Sequence, residues 1–352
     1  MKKIAVFGLG KVGTLVAVLL SDKFEVVGFD QNEPHYEYDF QFRVEQGDVR
    51  DRNFLDSSLT GFDAVVSALP YFLNKGLASF AHEKGMHYFD LTEDVETTQY
   101  IRELSQTSRS VMAPQCGLAP GLIGIVGAHL AAGFTRLRDI ELRVGALPRY
   151  PNGQLAYSFT WSPAGVINEY INDAEAIRNG TRMMVPSLSG FEQINIEGQE
   201  FEAFSTSGGL GTMCETYEGK VDTLNYKTIR YPGHGKLMRF LMYELILKKD
   251  KKLLEKILGD AKPPVKEDVV YVYAVVEGWK EDQILRDEYF RSFYPRQIGQ
   301  RTWRAISWTT AASLAAVVEM VADGSLPQKG FIKQEDIEFD KFLMTSNGSF
   351  FN

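Results

Sequence analysis

"KIAVFGLGKVGTLVAVLLSDKFEVVGFD", residues 3–30, decides how the rest of the chain is read. Its first six residues are an apolar run that predicts a buried strand. Gly8, Gly10 and Gly13 follow in the G-x-G-x-x-G spacing, "TLVAVLLS" predicts a helix, and "EVVGFD" predicts a second strand ending at Asp30. An acid about 20 residues past the glycines, closing the second strand, is where a dinucleotide's ribose hydroxyls are held. Strand, glycine turn, helix, strand and acid in that order are far more specific than the glycines alone. Gly8 makes the turn, Gly10 lets a pyrophosphate approach the backbone, and Gly13 lets helix and strand pack closely. The helix N-terminus adds free N–H groups and the positive end of its dipole. A cofactor cradle is therefore expected from Gly8, Leu9, Gly10, Lys11, Val12 and Gly13, with Asp30 and Gln31 at the ribose. The Asp30 carboxylate would repel a 2′-phosphate, and the following "QNEPH" has no arginine to hold one, so NAD is expected over NADP.

The alternation continues through "FRVEQGD", "RDRNFLDSSL", "FDAVVSALP", "FLNKGLASFAHEKG", "HYFDLTE", "VETTQYIRELSQTS" and "RSVMAP". Strands alternating with helices predict a doubly wound parallel sheet of the Rossmann kind, with ligands outside the carboxyl ends of its strands. Those ends place Asp48, Val49, Ala68, Leu69, Pro70 and Leu91 along the cofactor. "APQCGLAPGL", residues 113–122, closes the sixth strand. There Gly117 and Leu118 are expected beside the nicotinamide, and Pro120 in the first turn of the next helix. Cys116 is expected to be a small buried residue rather than a nucleophile, because nothing nearby activates it.

From about residue 138 the pattern changes to strands: "IELRVGAL", "QLAYSFTW", "QINIEG", "FEAFST", "VYVYAVVEGW" and "LRDEYFRSFY". Helices are expected near 163–179 and 235–258, and an apolar helix over 303–322. The expected architecture is α/β: a Rossmann domain over 1–123, to which helix 303–323 returns, and an inserted α+β domain over 124–300 with a largely antiparallel sheet. Residues 324–352 form a C-terminal tail. Two loops stand out in the inserted domain. "FTWSPAG" pairs Trp161 with the helix start Ser162-Pro163, and "TIRYPGHGK" puts Arg230, Tyr231 and His234 in one stiff turn.

Acidic residues outnumber basic ones, 46 to 38, for a net charge of −8. That excess argues against nucleic acid, which demands basic patches. Two cysteines make neither a disulfide framework nor a metal spacing, so no metal and a cytoplasmic location are expected. The positive N-terminus lacks a small-residue cleavage site, and no signal peptide is expected. Arg304, Glu319 and several hydroxyls within 303–322 predict a buried helix rather than a membrane span.

"GLGKVG", "GFDAVVSALPY", "HYFDLTED", "APQCGLAPGL", "FTWSPAGVINEYINDAEAIRNG" and "TIRYPGH" together resemble the saccharopine dehydrogenase-like oxidoreductases along most of the chain. The "TWSP" to "RNG" block and the "YPGH" loop resemble the branch that deaminates the lysine side chain. The resemblance implies a nicotinamide cofactor, a small-molecule amino-acid substrate and a homodimer. It implies that Arg230 binds the substrate carboxylate and that Trp161 lies in the substrate cleft, and the stiff loop itself adds Tyr231 as a binding candidate. It sets Tyr71 and Asp90 at strand ends facing the nicotinamide. Tyr71, Asp90 and His234 are the candidates for handling protons: His234 for its ordinary pKa near 6.5, Asp90 as a positioner of the ammonium. Reductive condensation of an amine with an aldehyde, and a non-catalytic NAD-binding sensor, are the alternatives.

Overall fold

The computed structural model describes residues 1–32 and 41–352. Glu33, Pro34 and His35, part of the "QNEPH" stretch weighed above for cofactor choice, lie outside the described residues. The chain forms two units, Met1–Leu122 with Ser307–Asn352, and Ile123–Ile306.

The first unit alternates β1 (Lys3–Phe7), α1 (Gly13–Ser21), β2 (Glu25–Asp30), β3 (Arg43–Gln46), α2 (Arg52–Ser58), β4 (Ala64–Ser67), α3 (Tyr71–Lys84), β5 (His87–Asp90), α4 (Val95–Ser105) and β6 (Val111–Ala113). All its strand pairs are parallel, in the order β6-β5-β4-β1-β2-β3. Ile4 to Phe7 and Ala64 to Ser67 are buried at every position, as central strands covered on both faces must be. Strand order reverses between β1 and β4, and at such a switch point the loops part to open a crevice at the carboxyl ends.

The second unit follows from α5 (Leu122–Ala131) and β7 (Arg136–Pro148) through α6 (Pro163–Ile171), β8 (Ala174–Arg178), β9 (Thr181–Val185), β10 (Glu192–Ile196), β11 (Gln199–Ser205), α7 (Met213–Tyr217), β12 (Thr223–Arg230), α8 (His234–Arg239), α9 (Lys251–Ala261), β13 (Asp268–Lys280), β14 (Gln283–Phe293), β15 (Arg296–Ile298) and β16 (Arg301–Trp303). Its main sheet runs β10-β11-β12-β7-β13-β14, antiparallel except between β12 and β7. The core against it is aromatic: Tyr157, Phe159, Tyr170, Phe201, Phe204 and Tyr231 pack with Leu254 and Leu258. The chain then returns through α10 (Ala305–Ala322), which by length and composition alone could cross a membrane and is 89% buried within the protein. Residues 324–352 do more than trail from it. They add β17 (Gly330–Phe331), a parallel partner for β6, and pack Phe342 and Phe351 beside Trp308.

Four local expectations are corrected. The helix expected over 163–179 stops at Ile171. Asn179-Gly180, with φ of 51° and 75°, instead turns the hairpin between β8 and β9, as Asn-Gly characteristically does. The helix expected over 235–258 is interrupted at Ile246, whose φ is 59°, and restarts where Asp250 accepts the Leu253 N–H over 3.0 Å. "QLAYSFTW" is not a strand. Residues 154–161 join no strand ladder, and Tyr157, Ser158, Phe159 and Thr160 are buried by side-chain packing instead. Pro120 does not sit in a helix, because α5 begins only at Leu122.

Candidate functional site

The glycine loop is built by exclusion of side chains. A Cβ on Gly13 would lie 1.9 Å from the Gly8 carbonyl oxygen, and one on Gly8 2.8 Å from the Ala68 oxygen. Gly8 also holds a φ of 87°, which favours glycine. Gly10 differs, with no atom within 4 Å of where its Cβ would be. Two glycines thus close the turn, and the third leaves the backbone bare to whatever approaches. At α1, whose N-cap is Val12, no side chain caps the N-terminus and no acid stands in the first turn. Its N–H groups and dipole suit a pyrophosphate. Asp30, at the end of β2, accepts the Leu9 N–H at 2.8 Å and the Asn32 N–H at 3.0 Å, and Gln31 beside it is exposed. Asp48 is held by the Arg50 guanidinium, which pulls its pKa down to about 2. Val49 and Leu69 pack against the core of the unit, and Pro70 starts α3.

Beyond β4 and β5 lie Tyr71 and Asp90. Asp90 is fully buried, and four donors meet its carboxyl: the Tyr88 hydroxyl at 2.9 Å, Asn74 Nδ2 at 3.3 Å, and the N–H groups of Thr92 at 2.9 Å and Gln115 at 3.0 Å. Burial lifts its pKa to about 6 against those bonds. With its oxygens so engaged, Asp90 does not await an ammonium. It fastens the loop after β6, where its own carbonyl also accepts the Cys116 N–H at 2.9 Å. That loop closes on itself: Leu122 donates to the Gly117 carbonyl at 2.9 Å, and Gly121, at φ 134°, passes so near that a Cβ would lie 2.0 Å from that oxygen. Leu91 lines Gly117, Leu118 is buried, and the buried Cys116 thiol donates to the Ala113 carbonyl at 3.1 Å. Burial pushes the thiol pKa far up, so it is no ready nucleophile.

Glu93 is a different kind of carboxyl. It is half-buried and receives no hydrogen bond or ion pair from another described residue. Burial pushes its pKa up to about 7. Its own N–H pulls the other way, and the charges of Asp94 and Asp90 add to the rise. Tyr71, raised by burial and then by Asp94 and Glu93, shares its surroundings.

In the second unit, β12 ends at Arg230, which is 3% exposed. Its Nε donates to the Tyr170 hydroxyl at 2.8 Å and its Nη1 to the Ile229 carbonyl at 2.8 Å, while the Tyr157 ring lies under the guanidinium at 4.7 Å. His234 sits 3.0 Å from the Tyr170 hydroxyl through Nε2 and 2.9 Å from the Leu155 carbonyl through Nδ1. The pKa near 6.5 expected of it is corrected: burial, then the charge of Arg230, lowers it to about 3. Tyr231 is a core residue, its hydroxyl donating to the Pro148 carbonyl at 2.9 Å and its ring against Phe201. Trp161 is half-buried just before Ser162, which caps α6 by accepting the Gly165 N–H at 3.1 Å.

Residues 4–115 match the saccharopine dehydrogenase NADP binding domain and residues 117–345 the saccharopine dehydrogenase C-terminal domain. The chain belongs to the saccharopine dehydrogenase family. Within the family it is 26% identical over 210 residues to alpha-aminoadipic semialdehyde synthase of Arabidopsis thaliana, covering 55% of this chain and 20% of that protein. It is 24% identical over 267 residues to saccharopine dehydrogenase [NADP(+), L-glutamate-forming] of Saccharomyces cerevisiae, covering 67% and 57%. The chain thus spans less than two thirds of the length of either relative. The apo yeast saccharopine dehydrogenase (L-Glu forming) has the same fold, with a TM-score of 0.76 at 16% identity over 97% of this chain and 96% of that one.

Three members of these clusters escape a sequence reading. Glu93 stands in the quoted "HYFDLTED", but nothing local distinguishes it from Asp90 or Asp94. Tyr157 and Tyr170 look like core aromatics, and only the fold brings both rings to Arg230.

Proposed function

We propose that the chain is a nicotinamide-dependent oxidoreductase acting at the C–N bond of an amino acid. The reaction proposed is oxidative deamination of the L-lysine side chain to 2-aminoadipate 6-semialdehyde, a lysine 6-dehydrogenase activity. Arg230 carries this reading. A buried guanidinium that commits Nε to Tyr170 and one Nη1 hydrogen to the Ile229 carbonyl keeps further N–H groups that suit a free carboxylate, with the Glu169 charge as the one acid acting on it among the described residues.

The glycine loop from Gly8 to Gly13 and the start of α1 would hold the cofactor's pyrophosphate, and Asp30 its ribose. When bound, the nicotinamide supplies the hydride acceptor. The carboxylate of Asp30 favours NAD, although residues 4–115 match an NADP binding domain and the yeast relative is an NADP(+) enzyme. The substrate amine, with a solution pKa of about 10.4, must be uncharged to react. Glu93, held near neutrality without a cation of its own, is the group suited to take that proton, with Tyr71 beside it as a relay. The carbon–nitrogen double bond left on the substrate takes up water and releases ammonia.

Saccharopine-type condensation is the second reading, supported by the relatives' names. Its product carries further carboxylates and needs another cationic anchor. Arg182 is paired with Glu175, and Arg149 lies half exposed over Tyr150 and Tyr294, so neither is poised for that role.

The test is a screen of amino acids and polyamines with NAD and NADP in both directions, read as NADH or NADPH absorbance. L-Lysine should reduce the cofactor, and cadaverine, which lacks the carboxylate, should be poor. Arg230→Ala should lower kcat/KM for lysine by about tenfold to a hundredfold per lost bond and barely alter cadaverine. Turnover of lysine by Arg230→Ala at the parent rate would place the anchor elsewhere. Cofactor oxidation only with an amine and an aldehyde together would establish the condensation instead.

A further inference from the structure

Arg230 does not hold its orientation alone. A carbonyl can only accept, so His234 must donate to Leu155 from Nδ1. A ring that is 1% exposed and faces a guanidinium charge stays neutral, which leaves Nε2 as an acceptor. The Tyr170 hydroxyl therefore donates to His234 and has a lone pair turned to Arg230 Nε, which donates to it. The resulting chain runs from Arg230 through Tyr170 and His234 to the Leu155 carbonyl. Every side chain in it is buried, with Tyr170 at 0%.

The chain also determines which face of the guanidinium remains. Arginine has five N–H donors in a rigid plane. Nε is committed to Tyr170 and one Nη1 hydrogen to the Ile229 carbonyl behind it. One hydrogen on Nη1 and two on Nη2 remain, and among the described residues the Glu169 carboxylate acts on the guanidinium through its charge. Tyr157 covers one ring face of the guanidinium, and its own buried hydroxyl has no partner of full hydrogen-bond geometry, with the Trp161 indole the donor that acts on it. A buried fork and a buried hydroxyl lacking a good partner beside it both call for a polar ligand.

We propose that Tyr170 and His234 are positioning residues. Together they brace the Arg230 guanidinium for a planar carboxylate, with His234 Nε2 accepting from the Tyr170 hydroxyl. This rests on Arg230 binding the substrate carboxylate, and it gives His234 a structural reason other than proton transfer.

Three variants of the full-length protein test it: Tyr170→Phe, His234→Gln and His234→Asn. Glutamine can keep an acceptor where Nε2 stands, and asparagine only the donor where Nδ1 stands. Dissociation constants for L-lysine and cadaverine are measured by calorimetry with NADH present, beside steady-state kinetics. Tyr170→Phe and His234→Asn should weaken L-lysine by about tenfold through KM rather than kcat. Cadaverine and NADH binding should be unchanged, and His234→Gln should recover much of the loss. Unweakened lysine binding would overturn the brace, as would equal weakening of lysine and cadaverine. Loss of kcat for both substrates in both His234 variants would make His234 a catalytic residue and overturn it too. If the parent binds no lysine, the substrate reading fails separately. The same variants are then measured on whichever amino acid of the screen does bind, and failure of every carboxylate to bind overturns the brace with the anchor.

Discussion

The Leu9 amide donates to Oδ2 of Asp30 over 2.8 Å, so the residue proposed to choose the cofactor also ties the glycine loop to the end of β2. A substitution there that removes both acceptors confuses two effects. Asp30→Asn separates them best, because the amide oxygen can still accept from Leu9 while the charge is gone and only the bond from the exposed Asn32 N–H is given up. Repulsion of a 2′-phosphate should then vanish, and the ratio of kcat/KM for NAD over NADP should fall by about tenfold or more. The melting temperature should stay near that of the parent. A parent enzyme that prefers NADP would refute the role given to Asp30.

The glycines of the loop should divide by what surrounds them. Gly10 faces open space, and Gly13 would collide with the Gly8 carbonyl at 1.9 Å. Gly10→Val should therefore leave the melting temperature nearly unchanged yet lower NADH affinity by at least about tenfold, since its side chain would fill the place proposed for the phosphate. Gly13→Val should lower both, with a stability loss on the order of 1–3 kcal/mol from overpacking. Fluorescence titration with NADH and thermal melts decide. Equal behaviour of the two variants would contradict the geometry.

Glu93 should leave a mark on both activity and stability. Its pKa of about 7 lies above the ordinary glutamate value. Ionising it costs the folded state more than the unfolded one. That cost is absent below about pH 4, grows as pH rises, and is complete above pH 7, where it amounts to on the order of 1–2 kcal/mol for a half-buried group. Glu93→Gln should accordingly match the parent's melting temperature at pH 4 and exceed it at pH 8. In the proposed reaction activity runs the other way, because the ionised form would take the proton. kcat/KM should rise with pH through about 7 in the parent, and that limb should disappear in Glu93→Gln. A limb that persists would assign the proton to another group.

Cys116 should be dispensable for chemistry. Cys116→Ser can keep the donation to the Ala113 carbonyl, and most of the activity should survive. Both cysteines of the chain are buried. A thiol reagent should label neither in the native protein and both after denaturation. Rapid native labelling that also abolishes turnover would give the thiol a functional part.

Much of the first unit is legible because its determinants are local. β1, the glycine turn and α1 follow from apolar periodicity and from steric limits that act within a few residues, and the parallel order follows from alternation. The Asn179-Gly180 dipeptide is an equally local signal, and it turns the β8–β9 hairpin where apolar periodicity alone predicts helix. The "QLAYSFTW" segment misleads for the opposite reason. Its apolar residues are buried by packing on all sides and not by pairing in a sheet, and composition does not distinguish the two.

The sequence by itself determined the nucleotide fold, the glycine loop with its acid, and the arginine at the end of β12, because each is written in residues close together along the chain. Only the tertiary structure decided what the polar groups do. Arg230 meets Tyr170 across 60 residues, Tyr170 meets His234 across 64, and Gln115 reaches Asp90 across 25. Whether a buried carboxyl is saturated like Asp90 or left uncompensated like Glu93 depends on which donors the fold brings up to it and how much water it removes. So does whether an imidazole titrates near neutrality or stays uncharged like His234. Hydrogen-bond satisfaction and desolvation are properties of three-dimensional neighbours, and the order of residues along the chain does not contain them.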